Sequence, residues 1–232
     1  MTGSDWALWR RLPFCRLCLL AWLVPGILLG CAGSQGNVNP QLQITERKDI
    51  TAAVDRGKSL WGRDPYLVYQ GRRTQQVNNR LSQNVIVRTA FLSMPADEVA
   101  FTVASLPAGS DDQTIKQAVD AAVEKINRQL KFVVVLQLLA TADPKQIAFG
   151  MKTDTGQDYP PVATAEPQLL QQVPASPEDG EPATSMYRYQ VYFQTVGSPG
   201  YPALDTGVTD LYLTVKDSGA QEDVHFSLMG KG

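Results

Sequence analysis

The pattern with the most chemical content is the tripeptide Asp-Thr-Gly, which occurs at residues 154–156 and again at 205–207, the second time in the run Ala203-Leu204-Asp205-Thr206-Gly207. Two aspartates brought together can share one proton, because like charges at close range cannot both ionise. The same tripeptide suits a β-turn, where Asp caps the turn and Gly accepts positive φ. The residues alone leave both readings open. The chain has one histidine, His225, flanked by Val224 and Phe226. On a strand it points away from those apolar neighbours and outward. Zinc would lack an imidazole pair, and a Ser-His-Asp system would need every role filled by this one ring. No G-x-S-x-G, S-x-x-K, Walker or dinucleotide motif occurs. The acidic pairs Asp97-Glu98 and Glu222-Asp223 lack the alternation and central glycine of a calcium loop. No metal and no cofactor is expected.

The second Asp-Thr-Gly run resembles the active-site loop of aspartic proteases. That resemblance implies an exported hydrolase with Asp205 and Asp154 as its catalytic pair. The pattern departs from the family in three ways. The copies are 51 residues apart, Lys152 and Thr153 precede the first where an apolar strand belongs, and Leu228-Met229-Gly230 follows the second copy too soon to serve as the later apolar-apolar-Gly element.

The N-terminus carries an address. Arg10, Arg11 and Arg16 precede an uncharged run from Leu17 to Leu29. A membrane helix needs about 20 apolar residues, so this run, interrupted by Pro25 and Gly26, reads as the apolar region of a signal peptide. At its end stand Leu28, Leu29, Gly30 and Cys31. These four resemble the lipobox of bacterial lipoproteins. The resemblance implies a signal peptide over 1–30, cleavage before Cys31, lipidation of its thiol and a membrane anchor. Ala32 stands where, by the enterobacterial sorting rule, an aspartate would favour retention in the inner membrane, so the expected location is the outer membrane, facing the periplasm. Cys15 and Cys18 fall in the removed segment, so their C-x-x-C spacing is not read as a redox motif, and the mature chain keeps Cys31 alone. Stability must then come from an apolar core, with no disulfide.

Residues 31–44 read as the lipidated cysteine and a flexible tether rich in Gly, Ser, Gln and Asn. Charge divides the rest. From 45 to 90 there are nine Lys or Arg against four Asp or Glu; from 91 to 232 there are nine against eighteen. The basic portion, 45–82, includes Arg72, Arg73 and Arg80, which are candidates for binding anionic headgroups or anionic envelope glycans. A solvated or internally paired face is the alternative. No aromatic residues interleave these arginines as a base-stacking platform would need, so nucleic acid is not an expected partner.

The elements that must position these residues follow from hydrophobic spacing. Ile50, Ala53, Val54, Gly57 and Trp61 predict a helix over 47–61. Tyr66–Tyr69 is a short apolar run, and 72–80 is polar enough for helix or loop. Asn84–Met94 and Val99–Ala104 read as strands. Ser110 and Gln113 have capping-box spacing, and Ile115, Val119, Ala122, Ile126 and Leu130 then repeat at helical intervals. Phe132–Leu139 reads as a strand buried on both faces. Alternation follows at Ile147–Met151, Tyr187–Phe193, Leu211–Val215 and Val224–Leu228, and Tyr192 is read as outward, where a tyrosine can stack on a sugar or a protein.

With 232 residues, 44% hydrophobic and 19% charged, the chain can bury a sizeable core. The expectation is a single mainly β domain over 45–232: a sandwich of seven or eight strands with an inserted helix and a partly helical N-terminal portion, similar in outline to immunoglobulin-like domains of envelope lipoproteins. The expected role is non-enzymatic binding of an envelope protein or a cell-wall component.

Overall fold

A computed structural model describes Leu42 and residues 46–69, 73–176, 180–198 and 202–229. All belong to one unit, Ser34–Gly232. The expected signal peptide and lipobox, residues 31–41, 43 and 44 of the expected tether, and Arg72 lie outside the described residues.

The fold is mainly β, with ten strands in two antiparallel sheets and three α-helices among the described residues. The first sheet runs β1 (Thr74–Arg80), β2 (Val85–Ser93), β3 (Gln129–Leu139), β8 (Thr184–Gln194). The far edge of β8 is paired in turn by β6 (Ala163–Thr164) and β7 (Gln168–Val173). The second sheet runs β10 (Ala220–Ser227), β9 (Asp210–Asp217), β4 (Ala148–Thr153), β5 (Asp158–Tyr159). Between the sheets lies the larger core. Val85, Val87, Phe132, Val134, Leu136, Tyr189, Val191 and Phe193 of the first sheet meet Met151, Leu211, Leu213, Val215 and Phe226 of the second. Leu42 is buried in the same core, so the chain is fixed two residues before the expected end of the tether.

The helices form a third layer on the outer face of the first sheet. α1 (Arg47–Lys58), α2 (Pro95–Ala104) and α3 (Asp112–Ile126) pack Ala53, Val99, Val103, Ile115 and Val119 over Phe91 and Val133. β3 is therefore covered on both sides over its first half, at Lys131 and Val133, whereas its later outward residues Val135, Gln137 and Leu139 are only half-buried, so the expected burial on both faces does not extend to its end. α1 crosses α2 at Gly57, where a Cβ would stand 2.6 Å from the Ala100 carbonyl oxygen and from Val103 Cβ. No other residue type fits that crossing.

Three expectations are corrected. Residues 99–104 are helix, not strand: Pro95 opens the helix, the Asp97 carboxylate accepts from the Met94 N–H at 3.2 Å, and Val99, Ala100, Val103 and Ala104 are buried at helical spacing. Residues 74–80 form a strand in spite of their polarity, because β2 supplies ladder partners on both sides of one register slip. α3 is capped by Asp111, which accepts from the Thr114 N–H at 2.7 Å, and it stops at Ile126, since Leu130 already belongs to β3. The strand total exceeds seven or eight because β1 and the short edge strands β5, β6 and β7 join the alternating set.

Candidate functional site

The helical layer covers only one end of the first sheet. At the other end the outward residues of four neighbouring strands lie bare, and they form a connected polar chain. Thr184 on β8 accepts at Oγ1 from Gln137 Nε2 on β3 at 2.9 Å, and Gln137 Oε1 accepts from Arg88 Nε on β2 at 2.8 Å and also from Arg88 Nη2. Arg88 Nη1 then donates to Asn78 Oδ1 on β1 at 3.3 Å. Each link fixes the next: Arg88 has only donors, so the glutamine amide must turn its oxygen to it, and its nitrogen then faces the Thr184 hydroxyl, which can accept.

Two backbone irregularities put Arg88 and Asn78 in this chain. The β1–β2 register slips between Gln76 and Asn79, and the β2–β3 register slips between Val87 and Thr89, which leaves Asn78 and Arg88 as extra residues. Asn78 also has φ 50, a left-handed conformation that Asn tolerates better than most residues. Bulges re-aim side chains out of the regular alternation, and here two adjacent bulges point their extra residues at each other. Arg88, Gln137 and Thr184, with Arg80, Asn84 and Glu181, line a cleft of about 300 Å³, and Asn78 holds Arg88 from outside it. Arg80 makes no ion pair with any described residue, and the described charges at the cleft are two arginines and one glutamate.

The structure places the other sequence-derived candidates elsewhere. Asp205 Oδ1 accepts from the Gly207 N–H at 2.9 Å, closing its own turn. Asp154 Oδ2 accepts from the Thr209 N–H at 3.1 Å and lies 2.7 Å from Thr209 Oγ1, which is also 2.7 Å from Asp210 Oδ2. The single hydroxyl proton serves one carboxylate at a time. Hydrogen bonds from Thr209 hold both Asp154 and Asp210 below the usual carboxylate range, the opposite of what a proton-sharing pair does to one of its members. No hydrogen bond links Asp154 to Asp205. His225 points outward as expected, and its Nε2 lies 2.6 Å from Asp210 Oδ1, with the Tyr212 ring beside it at 5.1 Å.

Arg73 is spent within the fold: its guanidinium donates to the Ser227 and Leu228 carbonyls at 2.6 and 3.0 Å, tying the start of β1 to the end of β10. Arg56 pairs with Asp97 at 2.7 Å. Of the three arginines proposed for surface attraction, only Arg80 is described with a free head. Tyr192 has the outward parity read from sequence, but the helical layer covers it. Lys125 Nζ stands 4.5 Å from its ring centre, and burial pushes its phenol up to about 12.

A buried polar cluster escaped sequence reasoning. Lys131, 4% exposed at its side chain, pairs with Glu98 Oε1 at 2.6 Å, Tyr69 donates to the same oxygen at 2.6 Å, and Ser93 donates to it as well. Burial pulls the Lys131 ammonium down, and burial beside Glu98 pushes the Tyr69 phenol well up. The cluster fastens α2 to β3 under Phe101, whose ring centre is 4.4 Å from Lys131 Nζ. Lys131 begins an apolar run at helix-facing parity, and that was the one available signal.

No family model, curated protein or solved structure matches the chain. Among the described residues no cluster of His, Cys, Asp and Glu suits a metal ion, and no helix is long and apolar enough to cross a membrane.

Proposed function

We propose that the chain is a lipid-anchored cell-envelope protein with a non-enzymatic binding role, held in the outer membrane facing the periplasm. The observation that carries this reading is the run Leu28-Leu29-Gly30-Cys31 at the end of an uncharged apolar segment and eleven residues before the chain enters the sandwich core at Leu42. A binding role is supported by the end of the first sheet that the helices leave uncovered, where a cleft is lined by Arg88, Gln137 and Thr184, each held by hydrogen bonds to its neighbours. It is supported too by the way Asp154 and Asp205 each commit one carboxylate oxygen to a separate structural turn, at Thr209 and at Gly207.

The test is Cys31→Ser in the native host. The thiol is the only lipid acceptor at the cleavage position, so the variant is expected to accumulate as an unprocessed precursor that takes up no labelled fatty acid. Normal mobility and normal labelling would refute the anchor.

A further inference from the structure

We propose that the cleft between β1, β2, β3 and β8 binds the carboxylate of an acidic sugar, with Arg88 and Arg80 as its two cationic contacts. The inference names a ligand class for the binding role proposed above and rests on that reading for its biological setting. Its chemistry stands on the side chains.

Arg88 is the centre of the argument. Among described residues it makes no ion pair, and its partners are the neutral amide oxygens of Gln137 and Asn78. Those contacts orient the guanidinium without neutralising it, so its charge remains for a ligand. A guanidinium presents a planar fork of donors that matches a carboxylate, and a fork held before binding loses less entropy when the ligand arrives. Arg80 reaches the same cleft from the end of β1 and can close on the ligand's other side.

Charge and size narrow the ligand. Two arginines against Glu181 leave one net positive charge among the described lining residues, which balances a carboxylate better than a dianionic phosphate. At about 300 Å³ the cleft stands at the small end of ligand sites, the scale of one sugar unit. Asn84, Gln137 and Thr184 supply the amide and hydroxyl groups that sugar hydroxyls require, and Glu181 can accept from them. A membrane surface would instead need a broad, exposed basic face, and Arg56 and Arg73 are withdrawn from any such face by their partners inside the fold.

The experiment titrates the full chain, purified in detergent, with a uronic-acid oligosaccharide, its neutral methyl ester, inorganic phosphate, and vesicles containing phosphatidylglycerol. The acid form is expected to bind ~10-fold or more tightly than the ester, as follows when a charged hydrogen bond is lost. Its affinity should fall with added salt. Arg80→Gln and Arg88→Gln should each reduce that affinity by a similar factor, while Lys216→Gln on the second sheet leaves it unchanged. Arg80 is exposed, so its variant keeps the test sound even if Arg88→Gln disturbs the bulge. Equal binding of acid and ester, binding that survives Arg80→Gln, or tighter binding of phosphate or vesicles than of the uronate would overturn the proposal. A failure here leaves the processing of Cys31→Ser unaffected, so the two readings fall separately.

Discussion

At the scale of single residues, charges meet two opposite fates in this molecule. In the Lys131–Glu98 pair they are sealed beneath Phe101, where removing one partner strands the other. Glu98→Ala should therefore cost ~3–5 kcal/mol, while Lys131→Met combined with Glu98→Gln should cost far less, because the double change leaves no unpaired ion. Urea unfolding of the parent, the single and the double variant measures this; equal losses would show that the pair does not act as a unit. Asp154, exposed, and Asp210, half-buried, are the contrasting case, both bound by Thr209. Their folded-state titration lies below the ordinary range, so they stabilise the fold above the unfolded carboxylate value near pH ~4 and lose that contribution as pH falls through the folded values. Thr209→Val should move both carboxyls up toward their unfolded values, lowering stability near neutral pH and flattening its loss on acidification. Carboxyl NMR titration reads this directly, and an Asp154 or Asp205 resonance titrating well above the usual range in the parent would instead restore the proton-sharing reading.

At the scale of elements, legibility in the sequence tracked how far each segment's own residues decided its structure. β3, β8, β9 and β10 alternate or run apolar because burial dictates every second position, and α3 repeats because one face meets the sheet. Segment 99–104 misled because Val99, Phe101, Thr102 and Val103 are also strand formers. The deciding information stood just before them, in Pro95, Asp97 and Glu98. β1 was unreadable from its own residues, which are polar and take extended form only because β2 lies alongside. The cleft was hidden for a related reason. A bulge is a property of two strands in register, and no local pattern marks Arg88 or Asn78 as the extra residue. The best-read element yields the firmest prediction: Val134, fully buried between the sheets, should not tolerate a carboxylate. Val134→Asp is expected to cost on the order of 4 kcal/mol. A melting temperature within a degree or two of the parent would mean that β3 is peripheral after all.

At the scale of the whole molecule, Leu42 sets the mechanics of attachment. It stands eleven residues after Cys31, and a fully extended chain over those steps reaches at most ~40 Å; as a flexible coil its typical span is about 20 Å. If Cys31 carries lipid as proposed, the leash is short, and its far end is pinned by a core side chain that is 2% exposed. The protein would then patrol a thin shell above its membrane instead of exploring the compartment. Tethering over such a distance raises the effective concentration of anything else fixed in that shell to the millimolar range. A cleft with only feeble affinity for a free acidic sugar would still stay occupied by a polymer anchored within reach, and would let go once the polymer was cut loose.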